Sequence, residues 1–338
     1  MWVLFETRHI GSYDYLLINV LVISTGTVIC VVLQAYTMLG YACINMELRE
    51  QDIFTNRTLR RATLEVKGMP YLSELIEANL NDLLTILHHN EKEGIRFFRI
   101  SSEIFPFWSH PELGYELEDL PNSEVILSLI KQVGDYATEH NHRITTHPGP
   151  YNVLASPNPS VVSKAILELE CHSKMFDYMG FTPSAYNKIN IHVGGAYGEP
   201  DAALARFCIA FTQLSSALKA RLTVENDDRA NLYSTLDLYN GVHRVIGIPI
   251  VFDYHHHNFN TGGQTEQEAL ELAISTWPSN ITPVVHYSES KTIHAGGSKP
   301  TPAHSDLVYG PMSLYGNSID VMIEAKHKEK ALVTLSIV

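Results

Sequence analysis

Short apolar runs recur along this chain and alternate with longer stretches whose apolar residues fall at three- and four-residue spacing. The runs Tyr36–Cys43, Ile95–Ile100, Arg143–His147, Lys188–His192, Leu222–Glu225, Val245–Asp253, Thr282–His286 and Ile319–Glu324 read as buried strands. Between Leu72 and His89 the residues Leu72, Leu75, Ile76, Leu80, Leu83, Leu84 and Leu87 share one face, which predicts a helix. Further helices are expected over Ser123–His140, with Ser123 as the cap, and from Asn158 to Tyr178, where Pro159 suits the first turn. Three more are expected over Ala202–Leu218, Leu232–Asn240 and Gln264–Ser275. Strand and helix in repeated alternation predict an α/β protein, a (β/α)8 TIM barrel occupying residues 36–338. No linker suggests a second globular domain.

The strands end alike. Ile144-Thr145-Thr146-His147, Ile189-Asn190-Ile191-His192, Leu222-Thr223-Val224-Glu225, Ile250-Val251-Phe252-Asp253, Pro283-Val284-Val285-His286 and Val321-Met322-Ile323-Glu324 each close on a residue able to bind a metal. A parallel barrel delivers such ends to one face, which predicts a multinuclear metal site at the C-terminal mouth. His256, His304 and His110 follow strand ends and point toward the same mouth. Nine candidates exceed the needs of one ion, whereas two or three ions sharing a bridging carboxylate fit the count. Imidazole and carboxylate together suit Zn, Mn or Fe. Taken singly, a histidine closing a strand is as readily a hydrogen-bonded or surface residue, and His255-His256-His257 reads equally as a solvated patch. Recurrence in register is what points to a site.

Composition changes the picture in three places. The net charge of −13 argues against a surface coated in basic residues, although bound divalent cations supply positive charge locally. Cys30, Cys43, Cys171 and Cys208 are far apart without a CxxC pair and read as reduced thiols of an intracellular protein. No charge occurs between Asp14 and Glu47. Within that stretch Leu16–Leu33 has the length of a bilayer span, on the order of 20 residues, broken by Asn19 and by Ser24-Thr25-Gly26-Thr27. Residues 1–35 are therefore an apolar extension that serves as a membrane anchor, a targeting segment or no function at all.

Several longer segments carry a resemblance. Gly40-Tyr41-Ala42-Cys43-Ile44-Asn45, Asn56-Arg57-Thr58-Leu59-Arg60, Phe98-Arg99-Ile100-Ser101-Ser102, His147-Pro148-Gly149, His192-Val193-Gly194-Gly195-Ala196-Tyr197-Gly198, Glu225-Asn226-Asp227, Asp253-Tyr254-His255-His256-His257 and Glu324-Ala325-Lys326 resemble the UV damage endonuclease family, in order from about Met38 to Lys330. The resemblance implies a barrel related to endonuclease IV that nicks damaged double-stranded DNA immediately 5′ to ultraviolet photoproducts, and abasic sites as a further lesion, leaving a 3′-hydroxyl and a 5′-phosphate. It implies Mn²⁺, with Mg²⁺, Co²⁺ or Zn²⁺ as substitutes. His147, His192 and Glu225 would hold a first ion, Glu225, Asp253, His286 and Glu324 a second, and His256 and His304 a third. Glu225 and His110 become the catalytic candidates, with a metal-held hydroxide near Glu225 as the attacking group. Tyr41 and Tyr151 match lesion-probing residues, Asn45 lies in the same motif as Tyr41, and Arg57, Arg60 and Arg61 form a basic cluster suited to phosphates or to a solvated helix start.

This sequence departs from the family pattern twice. Pro150 stands where Gln is frequent before the probing Tyr, and Val284 stands where the family has Lys two residues before the strand-end His. The expected molecule is a monomer inside the cell, in the nucleus or mitochondrion of a eukaryote or the cytoplasm of a prokaryote. Two rival readings are a sugar isomerase or epimerase of the xylose-isomerase-like superfamily and an inactive lesion-binding homologue.

Overall fold

The computed structural model describes residues 3–9, 14–21 and 35–338, with side chains from residue 37 onward. Ahead of the barrel, β1 (Val3–His9) and β2 (Asp14–Leu21) pair antiparallel, and Asp14–Leu17 pairs with β3 (Ala35–Ala42). The apolar run 16–33 is thus strand over Leu16–Leu21, and its residues 22–33 lie outside the described residues. Among the described residues no helix is long and apolar enough to cross a membrane.

β3 is followed by β4 (Phe97–Ile100), β5 (Arg143–Thr146), β6 (Ile189–Ile191), β7 (Leu222–Glu225), β8 (Ile250–Asp253), β9 (Val284–Tyr287) and β10 (Asp320–Ile323). Each pairs in parallel with the next, and β10 pairs with β3 to close the ring. This is the expected (β/α)8 barrel. Strand side chains alternate between two environments. One set, including Ala42, Phe97, Val251, Val284 and Met322, fills the barrel interior. The other, including Leu39, Tyr41, Phe98, Ile144 and Val285, packs in the large core between sheet and helices. Gly40 lies against the inner set, where an added Cβ would stand 2.5 Å from the carbonyl oxygen of Phe97, so no larger residue fits.

The helices differ from expectation where backbone chemistry intervenes. The helix expected from Leu72 begins at Arg61 and ends at Glu93, with a break at Gly68 (φ 73°) ahead of Pro70. Ser123 is the first helical residue, and the cap position is Asn122. The expected Ala202–Leu218 helix is two, Pro200–Thr212 and Ser216–Arg221, because the Ser215 hydroxyl accepts from Leu218 N–H and starts a new helix. Val245 does not open strand six. It lies in a helical turn, Arg244–Ile246, closed by left-handed Gly247 (φ 74°), and the strand starts at Ile250.

Candidate metal centre

Inward-facing strand positions converge at the C-terminal mouth. One potential ligand atom from each of His147, His192 and Glu225 lies within 4.8 Å of the others, and the same holds for Glu225, Asp253 and His286. Glu225 belongs to both groups. Its carboxylate faces His147 Nε2 at 3.3 Å, His286 Nδ1 at 3.1 Å, His192 Nε2 at 3.8 Å and His256 Nδ1 at 3.4 Å. Glu324 approaches the same cluster, 3.3 Å from His286 Nδ1, and pairs with Arg99.

The charge balance is that of a cation site. Burial opposes ionisation of Glu225, yet His286 and His192 hold its carboxyl well below the usual range. Against the pull of burial, Glu225 and Asp227 hold His192 up at about 10, and Asp253 and Glu225 hold His256 up at about 9. Burial pushes Asp253 up to about 7 and His286 down to about 4. Asp253 Oδ2 is buried without a hydrogen-bond partner among the described residues. Unpartnered buried polar atoms are costly. Divalent cations would satisfy them, and the His/Asp/Glu donor set suits such ions.

A supporting layer orients these ligands, and sequence reading passed over it. Asp227 Oδ1 stands 3.2 Å from His192 Nδ1, which leaves Nε2 for a metal. Asn190 donates to Glu225 Oε2 and accepts from Thr223 Oγ1 at 2.8 Å. Lys188 Nζ lies 3.3 Å from His286 Nε2, and burial lowers its ammonium to about 7. The signal was available, since Lys188 and Asn190 sit four and two residues before His192 and Thr223 two before Glu225, positions that share the ligand's face of the strand. Asp227→Ala is expected to weaken Mn²⁺ binding by about 10- to 100-fold without unfolding the barrel. Titration calorimetry of the variant checks this, and unchanged affinity would refute the orienting role.

The remaining candidates fall in different places. His256 faces Glu225 and Asp253 through Nδ1, which lies 2.9 Å from the carbonyl oxygen of Asn226. His304 is fixed by a 2.7 Å contact between Nδ1 and the Glu324 carbonyl and stacks edge-on against His255. Among the described residues neither belongs to the two ligand groups, while His256 reaches Glu225 at 3.4 Å. His110 lines a neighbouring groove with Tyr151 and Lys164, and its Nδ1 accepts from the N–H groups of Glu112 and Leu113 at 3.1 Å. Its turn is tied to the centre by a chain of polar contacts. Ser109 bonds Glu168, Glu168 reaches His172 at 3.4 Å, and His172 reaches Thr146, the residue before His147, at 3.2 Å.

Two assignments need correction. Tyr41 was expected at the lesion but is fully buried on the outer face of β3, against Phe98, with its hydroxyl donating to Asn90 at 2.7 Å. Asn45 is buried too; it donates to Tyr41 and caps the Met46–Arg49 helix. Strand parity places Tyr41 outside the barrel, opposite to Gly40 and Ala42. The basic cluster is also largely committed. Arg57 pairs with Asp82 at 2.6 Å and bonds the carbonyls of Phe54 and Asp52, so it is structural. Arg61 pairs on the surface with Glu65 and Glu112, and Arg60 is exposed. Tyr151 does stand out from the surface, 88% exposed, at the tip of the loop after His147.

Residues 37–337 match the family model described as UV-endonuclease UvdE. A UV-damage endonuclease of Schizosaccharomyces pombe is 37% identical over 309 residues, spanning 88% of this chain but 50% of that protein. A putative UV-damage endonuclease of Acanthamoeba polyphaga mimivirus is 34% identical and is covered over 89% of its length. The crystal structure of SacUVDE superposes with a TM-score of 0.76 at 31% identity, covering 88% of this chain and 96% of that one. The chain belongs to the UV-endonuclease UvdE family.

Proposed function

We propose that this protein is a metal-dependent DNA repair endonuclease that cuts the strand immediately 5′ to ultraviolet photoproducts, leaving a 3′-hydroxyl and a 5′-phosphate. The observation that carries the reading is one buried carboxylate, Glu225, shared between two ligand groups in a chain of this family. His147, His192 and Glu225 would hold one ion, and Glu225, Asp253, His286 and Glu324 a second. Divalent ions held there would supply neutralisation of the phosphodiester, a more acidic water and charge stabilisation for the departing oxygen.

The protein's own groups set the stage. Asn190 fixes the Glu225 carboxylate from behind, and Arg99 holds Glu324 ionised. Two backbone N–H groups occupy His110 Nδ1, so the neutral ring carries its proton on Nε2 and can donate to a phosphate oxygen. Photoproducts stack poorly and cost less to evert than normal bases, and the exposed ring of Tyr151 would fill the gap they leave.

The test is a nicking assay on irradiated and unirradiated duplex DNA with the protein first stripped by a chelator. Cleavage is expected only on irradiated DNA and only after Mn²⁺ is restored. Metal affinity should rise with pH up to about pH 10, because the proton that His192 holds must leave before that ring can ligate. Nicking that persists in chelator would overturn the metal dependence. Retained lesion binding without nicking across several metals would favour the inactive homologue.

A further inference from the structure

We propose that Tyr197 is a second base-stacking residue, on the rim of the metal centre, that holds a nucleobase displaced from the damaged duplex. The inference rests on the endonuclease reading above and adds a residue to it. Tyr197 adopts φ +54°, in the left-handed region that side chains other than Gly, Asn and Asp rarely enter. Such a backbone persists only where its surroundings impose it, and these positions gather at binding sites. Here the surroundings are specific. The ring lies over Gly195, where a Cβ would stand 3.2 Å from it, and the guanidinium of Arg206 stands 5.7 Å from its centre. Arg206 is itself fixed by a 2.8 Å bond from Nε to the Ala155 carbonyl.

Supported in this way, the ring is still 50% exposed. It lines the same cavity as His147, His192 and His256, together with Pro150 and Asn152, which flank Tyr151. Arg229 lines that cavity as well and supplies a cation for a backbone phosphate. A fixed, half-exposed aromatic ring beside ligands for a phosphodiester-cleaving centre fits a flat, stackable partner. A nucleobase is that partner, since every base presents a π-face. The aromatic ring loses little conformational freedom on binding, because its position is already set.

Binding of the full chain to irradiated and unirradiated duplex is measured by anisotropy in a Glu225→Gln background, which suppresses cutting. Adding Tyr197→Asn is expected to weaken binding to irradiated DNA by about 5- to 150-fold and to change unirradiated binding by less than about twofold. Asn tolerates the left-handed backbone, so the melting temperature should not fall. Tyr197→Phe should bind as the parent does. Tyr197→Asn binding like the parent, or equal loss on both duplexes, overturns the proposal. If the parent itself fails to prefer irradiated DNA, the endonuclease reading falls and takes this inference with it.

Discussion

Replacing Glu225 with Gln should reduce strand cleavage by on the order of 10³-fold or more while the barrel stays folded. The size follows from what the carboxylate faces. Four imidazoles, from His147, His192, His256 and His286, lie within 3.8 Å of its two oxygens. An amide keeps the shape and loses the charge. It would be a poor shared ligand for two cations, each of which would supply several kcal/mol of transition-state stabilisation. The fold should survive because, among the described residues, no backbone hydrogen bond ends on this side chain, and Asn190 can still donate to the Gln oxygen. Plasmid nicking measures the first effect, elemental analysis of bound Mn²⁺ the cause, and circular dichroism the fold. Undiminished turnover, or full metal loading with activity lost through unfolding, would remove Glu225 from its central place.

The centre was legible in sequence because of how a parallel barrel is built. Its strands are buried on both sides, so each reads as an apolar run, and its ligands lie where the run stops. His147, His192, Glu225, Asp253 and His286 are all found by that rule. What the rule lacks is parity. Applied backward from His192 and Glu225, it brings in Asn190, Lys188 and Thr223; applied to β3, it takes Tyr41 out of the barrel. Long-range partners were not legible. Arg57 looks like a phosphate ligand until the chain folds and presents Asp82 from the Arg61–Glu93 helix. Val245 is as apolar as a strand residue, which hides the true start of strand six at Ile250; the decisive signal is Gly247 behind it.

The inner polar residues also divide the barrel into two ends with different duties. At the mouth, buried charge is left to be completed by a ligand, as the unpartnered Asp253 Oδ2 shows. At the opposite end, charge is completed within the protein. Arg143 opens β5, four residues before His147, and its partner Asp320 opens β10, four before Glu324. Charged groups at the C-terminal ends of barrel strands serve chemistry, whereas those at the N-terminal ends serve stability.

Asp320→Ala should therefore destabilise the protein by about 3–5 kcal/mol without direct effect on the metal centre. Arg143 is fully buried and its Nη1 meets Asp320 Oδ2 at 2.6 Å. Its remaining donors reach the carbonyls of Tyr186, Thr282 and Ala185. Asp320 Oδ1 accepts from Met38 N–H at 3.0 Å, so one carboxylate fastens β10 to β3 and, through Arg143, to β5. Removing it leaves a guanidinium buried with neutral partners only, which costs far more than the pair itself contributes. The double variant Arg143→Met with Asp320→Leu removes both charges and should recover most of the loss. Urea unfolding curves of the single and double variants measure this, alongside Mn²⁺ loading of the folded fraction. A single variant as stable as the parent would mean that water reaches Arg143. A variant folded but unable to bind Mn²⁺ would mean that the two ends of the barrel are coupled, and the division between them would fail.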